Sequence, residues 1–425
     1  MTAFRLCLAL HLAALLLLAQ PPDPPPPEPI SIDQAVREAL DHNLTLVAER
    51  FNVPIANARI LTAGLRPNPV LTLDGDYLDV LGTGFAPENG AGPAEGAARV
   101  DFVLERGRKR ERRVQMAELA KSVAELNMLN ATRTVIFEVE SAFVDVLLAK
   151  ESYSLAQENL KALNAIVDVN STRVRTGDLA QVELVRSKLA ALQFQNNARQ
   201  AEFKLKSARH RLQLLMGRPS LTHGFDVKGP MRRESDILDI HAIRQLAQEH
   251  RPDLLAVKRD QARSAADLRL QIAQGKVDYT VGTQYHRQQS PTGTGNSLGV
   301  FLSLPIPVFN RNQGEIERAR LEEQQLATRV RALSASIASE VETGYEQYAT
   351  SRNMLDSLEK DMLQQAQDVR KTTEYSYRRG EASLIEFLDA QKAFNDTMQS
   401  YHDARADYAR SLYLLDSTSG KVVNP

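Results

Sequence analysis

The sequence predicts an α+β chain made of two copies of one unit, which lends four strands to an oligomeric β-barrel and continues into very long helices. Three observations carry this. Similarity recurs at a period of about 205 residues, about half the chain. Four short segments alternate apolar and polar residues, as strands with one greasy and one wet face do. Two helical stretches of about 60 residues contain no proline.

The N-terminus reads as a secretory signal peptide over residues 1–19. Arg5 precedes an apolar run from Leu6 to Ala19, broken only by His11, too short for a bilayer-spanning helix of about 20 residues. Cys7, the only cysteine, falls in this segment, so disulfides, zinc-thiolate sites and cysteine nucleophiles are excluded once it is removed. Residues 20–29 are mostly proline and form an extended spacer. The net charge of −1 shows no footprint of nucleic-acid binding.

The first unit spans 30–235 and the second 236–425. The first opens with Ser31 and Gln34 at capping-box spacing, then helical periodicity to Leu61 with a kink expected at Pro54. "AVREAL" at Ala35 matches "AIRQLA" at Ala242. Strands are expected over about 69–79, 99–106, 277–286 and 298–307, with Gly/Pro-rich hairpin loops from Leu81 to Ala98 and from Arg287 to Ser297. The long helices follow, from near Glu111 to Thr172 and from near Gln313 to Tyr377. Their apolar residues fall three and four apart (Val135, Val139, Ala142; Leu333, Ile337, Val341). At 1.5 Å per residue each reaches about 90 Å. "RTGDLAQVELV" (Arg175–Val185) and "RGEASLIEFL" (Arg379–Leu388) turn the chain, with Gly177 and Gly380 suited to the left-handed helix-ending position. Return helices run to about Leu215 and Leu415, and the Gly/Pro-rich segment 218–237 is expected to bulge sideways.

Four strands cannot close a cylinder, since the smallest single-chain membrane barrels need about eight, and hydrocarbon tolerates no open sheet edge. Several chains must therefore share one barrel. A plain periplasmic coiled-coil structural protein explains the helices but not the matched strands.

The repeat, "SLPIPVFNRNQG" (Ser303–Gly314) at a strand-to-helix junction and "YRRGEASLIEFLDAQ" (Tyr377–Gln391) resemble the TolC family of outer-membrane efflux proteins over nearly everything after Pro29. "ERGRKRERR" (Glu105–Arg113) is similar to the branch serving heavy-metal and cation exporters. The resemblance implies a homotrimer with a 12-stranded barrel in outer-membrane lipid, a 12-helix periplasmic tunnel, a periplasmic adaptor and an inner-membrane pump of RND type. It implies a passive duct for export or type I secretion, without a cofactor.

No enzymatic signature is present: there is no phosphate-binding glycine loop, nucleophile elbow or paired-histidine metal motif. Glu386 and Asp389 are three apart and share one helix face. The resemblance makes them the narrowest acidic rings of the tunnel, six carboxyls in a trimer, where mutual repulsion is expected to raise their pKa values. It also implies a latch between Tyr377 and Glu183. The arginine which the family has two residues after the glycine is Ala382 here, with Arg378 and Arg379 as nearby substitutes. The turns, with Gly177, Gly380, Arg175 and Arg379, are the expected adaptor-docking surface.

Overall fold

The computed structural model describes residues 28–78, 80–82, 84, 94–218, 224–290 and 293–421. The signal peptide, most of the spacer and the crown of the first hairpin loop lie outside the described residues.

Three short helices open the fold: α1 (Ile32–His42), α2 (Leu44–Arg50) and α3 (Asn52–Gly64). The capping box of Ser31 and Gln34 is formed, so each side chain serves a backbone N–H that the first turn leaves unpaired. The chain bends at Asn43 and Phe51, not at Pro54. Asn43 caps α2 through Oδ1, which accepts from Leu46 N at 3.0 Å, and its Nδ2 donates to Leu215 O at 2.8 Å. Pro54 sits in the first turn of α3, where its missing N–H costs nothing.

The strands are β1 (Val70–Asp76), β2 (Glu95–Leu104), β3 (Tyr279–Ser290) and β4 (Gly293–Ser303). All pairs are antiparallel in the order β1-β2-β3-β4, so β1 and β4 are open edges. β2 begins four residues before the expected start, and β3 and β4 extend far into the segment read as a hairpin loop. The backbone there is paired from Arg287 with Asn296 to Ser290 with Gly293. A ladder needs only N–H and C=O groups, which residues 287–290 and 293–297 supply although their side chains have a loop-like composition. β4 stops short of 307 because Pro305 and Pro307 donate no hydrogen bond.

α4 (Lys109–Thr176), a 68-residue helix, spans about 100 Å. α5 (Gln181–Leu215) returns along it, and after a strap come α6 (Ile240–His250) and α7 (Pro252–Gln274), so α5 and α7 share the flank of α4. The second long helix is not continuous. α8 (Gln313–Ser357) meets α9 (Leu363–Arg379) through a wide π turn at Leu358–Met362. Such a turn rephases the stripe of buried residues, and no proline or glycine announces it. α10 (Leu384–Thr418) returns against α8 and α4.

The segment 224–237 turns three apolar residues inward, while most of its other residues stay exposed. Phe225, Val227 and Met231 are buried against α4, and Ile30 pairs with Val227. Asp226 anchors the strap to Lys150 at 2.6 Å and Arg209 at 2.9 Å. Its apolar residues are spaced too irregularly to read as a core element.

Beside the strap, Glu140 of α4 makes no hydrogen bond or ion pair among the described residues. Arg232 is committed to Asp416 and Glu234 and lies over the Tyr413 ring. Burial, with Asp416 and Asp33 nearby, pushes the Glu140 carboxyl up to about 8. Between the free-carboxylate value of about 4.3 and that point, the native state keeps a proton that the unfolded chain has released. Stability therefore falls as pH rises through this window. Glu140→Gln is expected to raise the thermal midpoint at pH about 8 and above, with the gain vanishing near pH 4. Thermal melts across pH check this; a gain independent of pH would refute it.

Candidate functional site

The register sorts the sheet into two chemically opposite faces. One carries Leu71, Leu73, Val100, Phe102, Val281, Leu298, Val300 and Leu302, cross-strand neighbours in the antiparallel ladder. Most are solvent-exposed in the single chain, Val300 at 76%. The other face is polar. Arg99 pairs with Asp101 at 2.9 Å and stacks on Phe301 at 4.5 Å, while His286 Nε2 lies 3.2 Å from Glu95. Toward Ser303 the first face is predominantly apolar and uncovered, which suits hydrocarbon, while Arg287 and Asn296 lie on it farther up; the opposite face suits water. At 10 to 12 residues, β2 to β4 match the roughly 9–11 that a tilted membrane strand requires. Among the described residues no helix is long and apolar enough to cross a membrane.

The sheet is tied to the helices by ion pairs. Lys109, nearly buried, reaches Asp278 at 2.7 Å, and Asp278 also accepts from Arg106 N at 2.8 Å. Arg113 grips Glu105 with two hydrogen bonds. The basic run at Glu105–Arg113 is thus spent partly on this joint. At the other junction Asn312, in the left-handed conformation, donates to Gln271 O at 2.8 Å.

At the far end the two turns form the tip. Gly177 and Gly380 adopt φ of 87° and 83°, the left-handed geometry that closes a helix without a Cβ clash. Asp178 N then donates to Arg173 O and Glu381 N to Ser376 O. Leu163, Ile166, Ala190, Tyr377, Leu384 and Phe387 pack between the turns, with Ala382 against them. Tyr377, 3% exposed, stacks on Phe387 at 5.5 Å between ring centres.

The expected site residues fall out as follows. Within one chain the Tyr377 hydroxyl donates to Asn170 Oδ1 at 2.7 Å, and Glu183 pairs with Arg186 at 2.8 Å. Glu183 still lies near enough to work with burial in raising the Tyr377 phenol. Arg378 pairs with Glu374 and Arg379 stacks on Tyr375, so neither reaches Glu183. Arg173 of α4 approaches instead, within 3.3 Å of where a Gly380 Cβ would stand. Arg175 is exposed. Glu386 and Asp389 are exposed on the side of α10 away from Phe387. Glu386 closes a capping box: its carboxylate accepts from Ser383 N at 2.6 Å, which holds it below the usual carboxylate range. Asp389 makes no hydrogen bond among the described residues.

Asn170 was missed by sequence reasoning. It is fully buried, and its Nδ2 has no partner among the described residues. The Tyr377 bond links α4 to α9, and a second buried pair, Gln391 Nε2 to Asn159 Oδ1 at 3.0 Å, links α4 to α10. Asparagine at a seam position could have flagged them, as polar residues on an apolar stripe set register. No cluster of three metal-ligating side chains occurs among the described residues.

A sheet with one largely apolar face and one polar face, mounted on helices of about 100 Å, fits a channel-type outer-membrane protein. The chain belongs to the outer membrane efflux protein family, whose model matches residues 35–218 and 243–421. It is an efflux channel, not an enzyme, and the family implies work with adaptor and inner-membrane pump components. It is similar to the cobalt-zinc-cadmium resistance protein CzcC of Cupriavidus metallidurans, with 23% identity over 86% of this chain and 84% of that one. It is also similar to nodulation protein T of Rhizobium leguminosarum bv. trifolii, with 21% identity over 93% of this chain and 85% of that one. In structure it resembles the outer-membrane channel OprN, with a TM-score of 0.75, 16% identity, and coverage of 92% of this chain and 89% of that one.

The two faces make a direct expectation. Val300→Arg on the apolar face should cost about 2–4 kcal/mol of membrane stability, whereas Gln284→Arg on the polar face should be tolerated. The yield of folded protein in outer-membrane fractions measures this, and equal yields would refute the facing.

Proposed function

We propose that three copies close a 12-stranded barrel in the outer membrane and a helical tunnel in the periplasm, forming a passive exit duct for metal cations. The observation that carries it is a four-stranded sheet with two open edges and an uncovered, largely apolar face, which only other copies and lipid can satisfy. Two successive units, 30–235 and 236–425, form the chain; the two separate family matches support this. Likeness to CzcC across most of both chains supports metal cations as cargo. An exposed acidic pair beside the tip supports a cation-favouring aperture ring of Glu386 and Asp389. The pump is of RND type, and the tips, with Gly177, Gly380, Arg175 and Arg379, receive the adaptor. Energy comes from the pump, so the duct needs no cofactor.

In this reading the hairpin loops face outward and both tips face the periplasm. Gly90→Cys, in a loop whose crown lies outside the described residues, is expected to react with an impermeant thiol reagent on intact cells, and Ala180→Cys is not. The protein is expected in the outer-membrane fraction as a detergent-resistant trimer. Recovery as a soluble monomer would sink the duct, and reversed labelling would overturn the topology.

A further inference from the structure

Two apolar surfaces near the base of the sheet have no cover among the described residues. One is the segment 304–309 after β4, where Ile306, Val308 and Phe309 are exposed, Phe309 at 90%. The other is the outer side of α3, where Ile55, Leu61 and, just past the helix end, Leu65 are exposed while Ala56 is buried on the inner side. The sheet topology says where each surface goes. Four strands of alternating direction make β4 antiparallel to β1, so a second copy can continue the ladder across the seam. The base of β4, at Ser303, then stands beside the base of the neighbour's β1, at Val70. Segment 304–309 leaves from the first point, and α3 arrives at the second through residues 65–69. Both surfaces lie just beyond the base of the strands, where water or lipid would otherwise cover them.

We infer that these surfaces are the two halves of one contact between neighbouring copies: Ile306, Val308 and Phe309 of one chain against Ile55, Leu61 and Leu65 of the next. The inference rests on the closed barrel proposed above and adds the residues of its seam and the direction of the ring. The contact is head-to-tail, as a closed cyclic assembly of identical chains requires. Pro305 and Pro307 stiffen the segment, so little conformational freedom is lost when it docks.

The chain has a single cysteine, Cys7, and no tryptophan, so both kinds of probe can be placed alone. In a Cys7→Ser background, Leu61→Cys combined with Val308→Cys is treated with a short bismaleimide in isolated outer membranes. A covalently closed trimer is expected on denaturing gels, with no cross-link from either single variant. Phe309→Trp is expected to emit in the blue and to keep its intensity when brominated phospholipids replace ordinary ones. A trimer by mass in mild detergent that gives no cross-link, with Trp emission lost to brominated lipid, would place the segment against lipid chains. That result overturns the contact and leaves the barrel intact. A monomer by mass in mild detergent overturns both.

Discussion

Replacing Glu386 with glutamine and Asp389 with asparagine together is expected to abolish most of the cation preference of the channel in planar bilayers, with little change in tip structure. The capping box explains the choice of glutamine. Glutamine at the third helical position can still accept from the Ser383 N–H, so the start of α10 survives while the charge is lost. Alanine at both positions removes the cap and the bulk as well, and is expected to raise single-channel conductance further. The pH response separates two forces. In a trimer, crowding of like charges raises carboxyl pKa values. The Ser383 hydrogen bonds pull Glu386 the other way. These donors are fixed in contact with the carboxylate, while in the proposed ring the symmetry-related charges would act across water, where salt screens them. The cap should therefore win at Glu386. A group held low loses its charge only as pH falls past the ordinary carboxylate range of about 4.3. In an Asp389→Asn background, selectivity should persist through mild acid and fade below that range. A midpoint above it would mean that crowding dominates, and an amide variant as selective as wild type would remove both residues from the constriction.

What the sequence made legible, and what it hid, follows from the range of each interaction. The long helices and the tips could be read because their signals are local: apolar residues three and four apart, and Gly177 and Gly380 at positions where an L side chain is strained. Alternation marked the strands, since one face must meet hydrocarbon. Their ends were misread where polar and glycine residues continue a ladder held by backbone alone, as from Arg287 to Ser290. The π turn at Leu358–Met362 and the strap at 224–237 depend on packing between distant segments, which no local pattern records. The candidate site was half legible for the same reason. Glu386 and Asp389 stand out by spacing, and Tyr377 by its place before the turn. The partner of Tyr377 lies 207 positions away, on a helix whose register against α9 only the folded chain specifies.

Tyr377→Phe is expected to shift the tip strongly toward its open state, seen as larger and more frequent openings in single-channel records. Phenylalanine keeps the stack on Phe387 and removes one atom, the hydroxyl that donates to Asn170. Asn170 is fully buried and its Nδ2 already lacks a partner among the described residues, so the change leaves both ends of the amide unpaired there. An unsatisfied buried polar group costs about 1–3 kcal/mol. Since 1.4 kcal/mol is a factor of about ten, the closed-to-open ratio should fall by about 5- to 150-fold. Asn170→Leu should open the tip to a similar degree, and the double variant no further, because both substitutions break one bond. The clasp is neutral: burial raises the Tyr377 phenol, so it keeps its proton at physiological pH, and an amide does not titrate. Wild-type closure through this pair should be insensitive to pH. Asn170→Asp replaces the amide with a carboxyl that titrates, and a phenol-to-carboxylate bond is stronger when charged. That variant should close more tightly at alkaline pH and loosen in acid. If Tyr377→Phe leaves both conductance and thermal midpoint unchanged, the bond does not hold the tip, and closure must rest on the apolar packing around Phe387 alone.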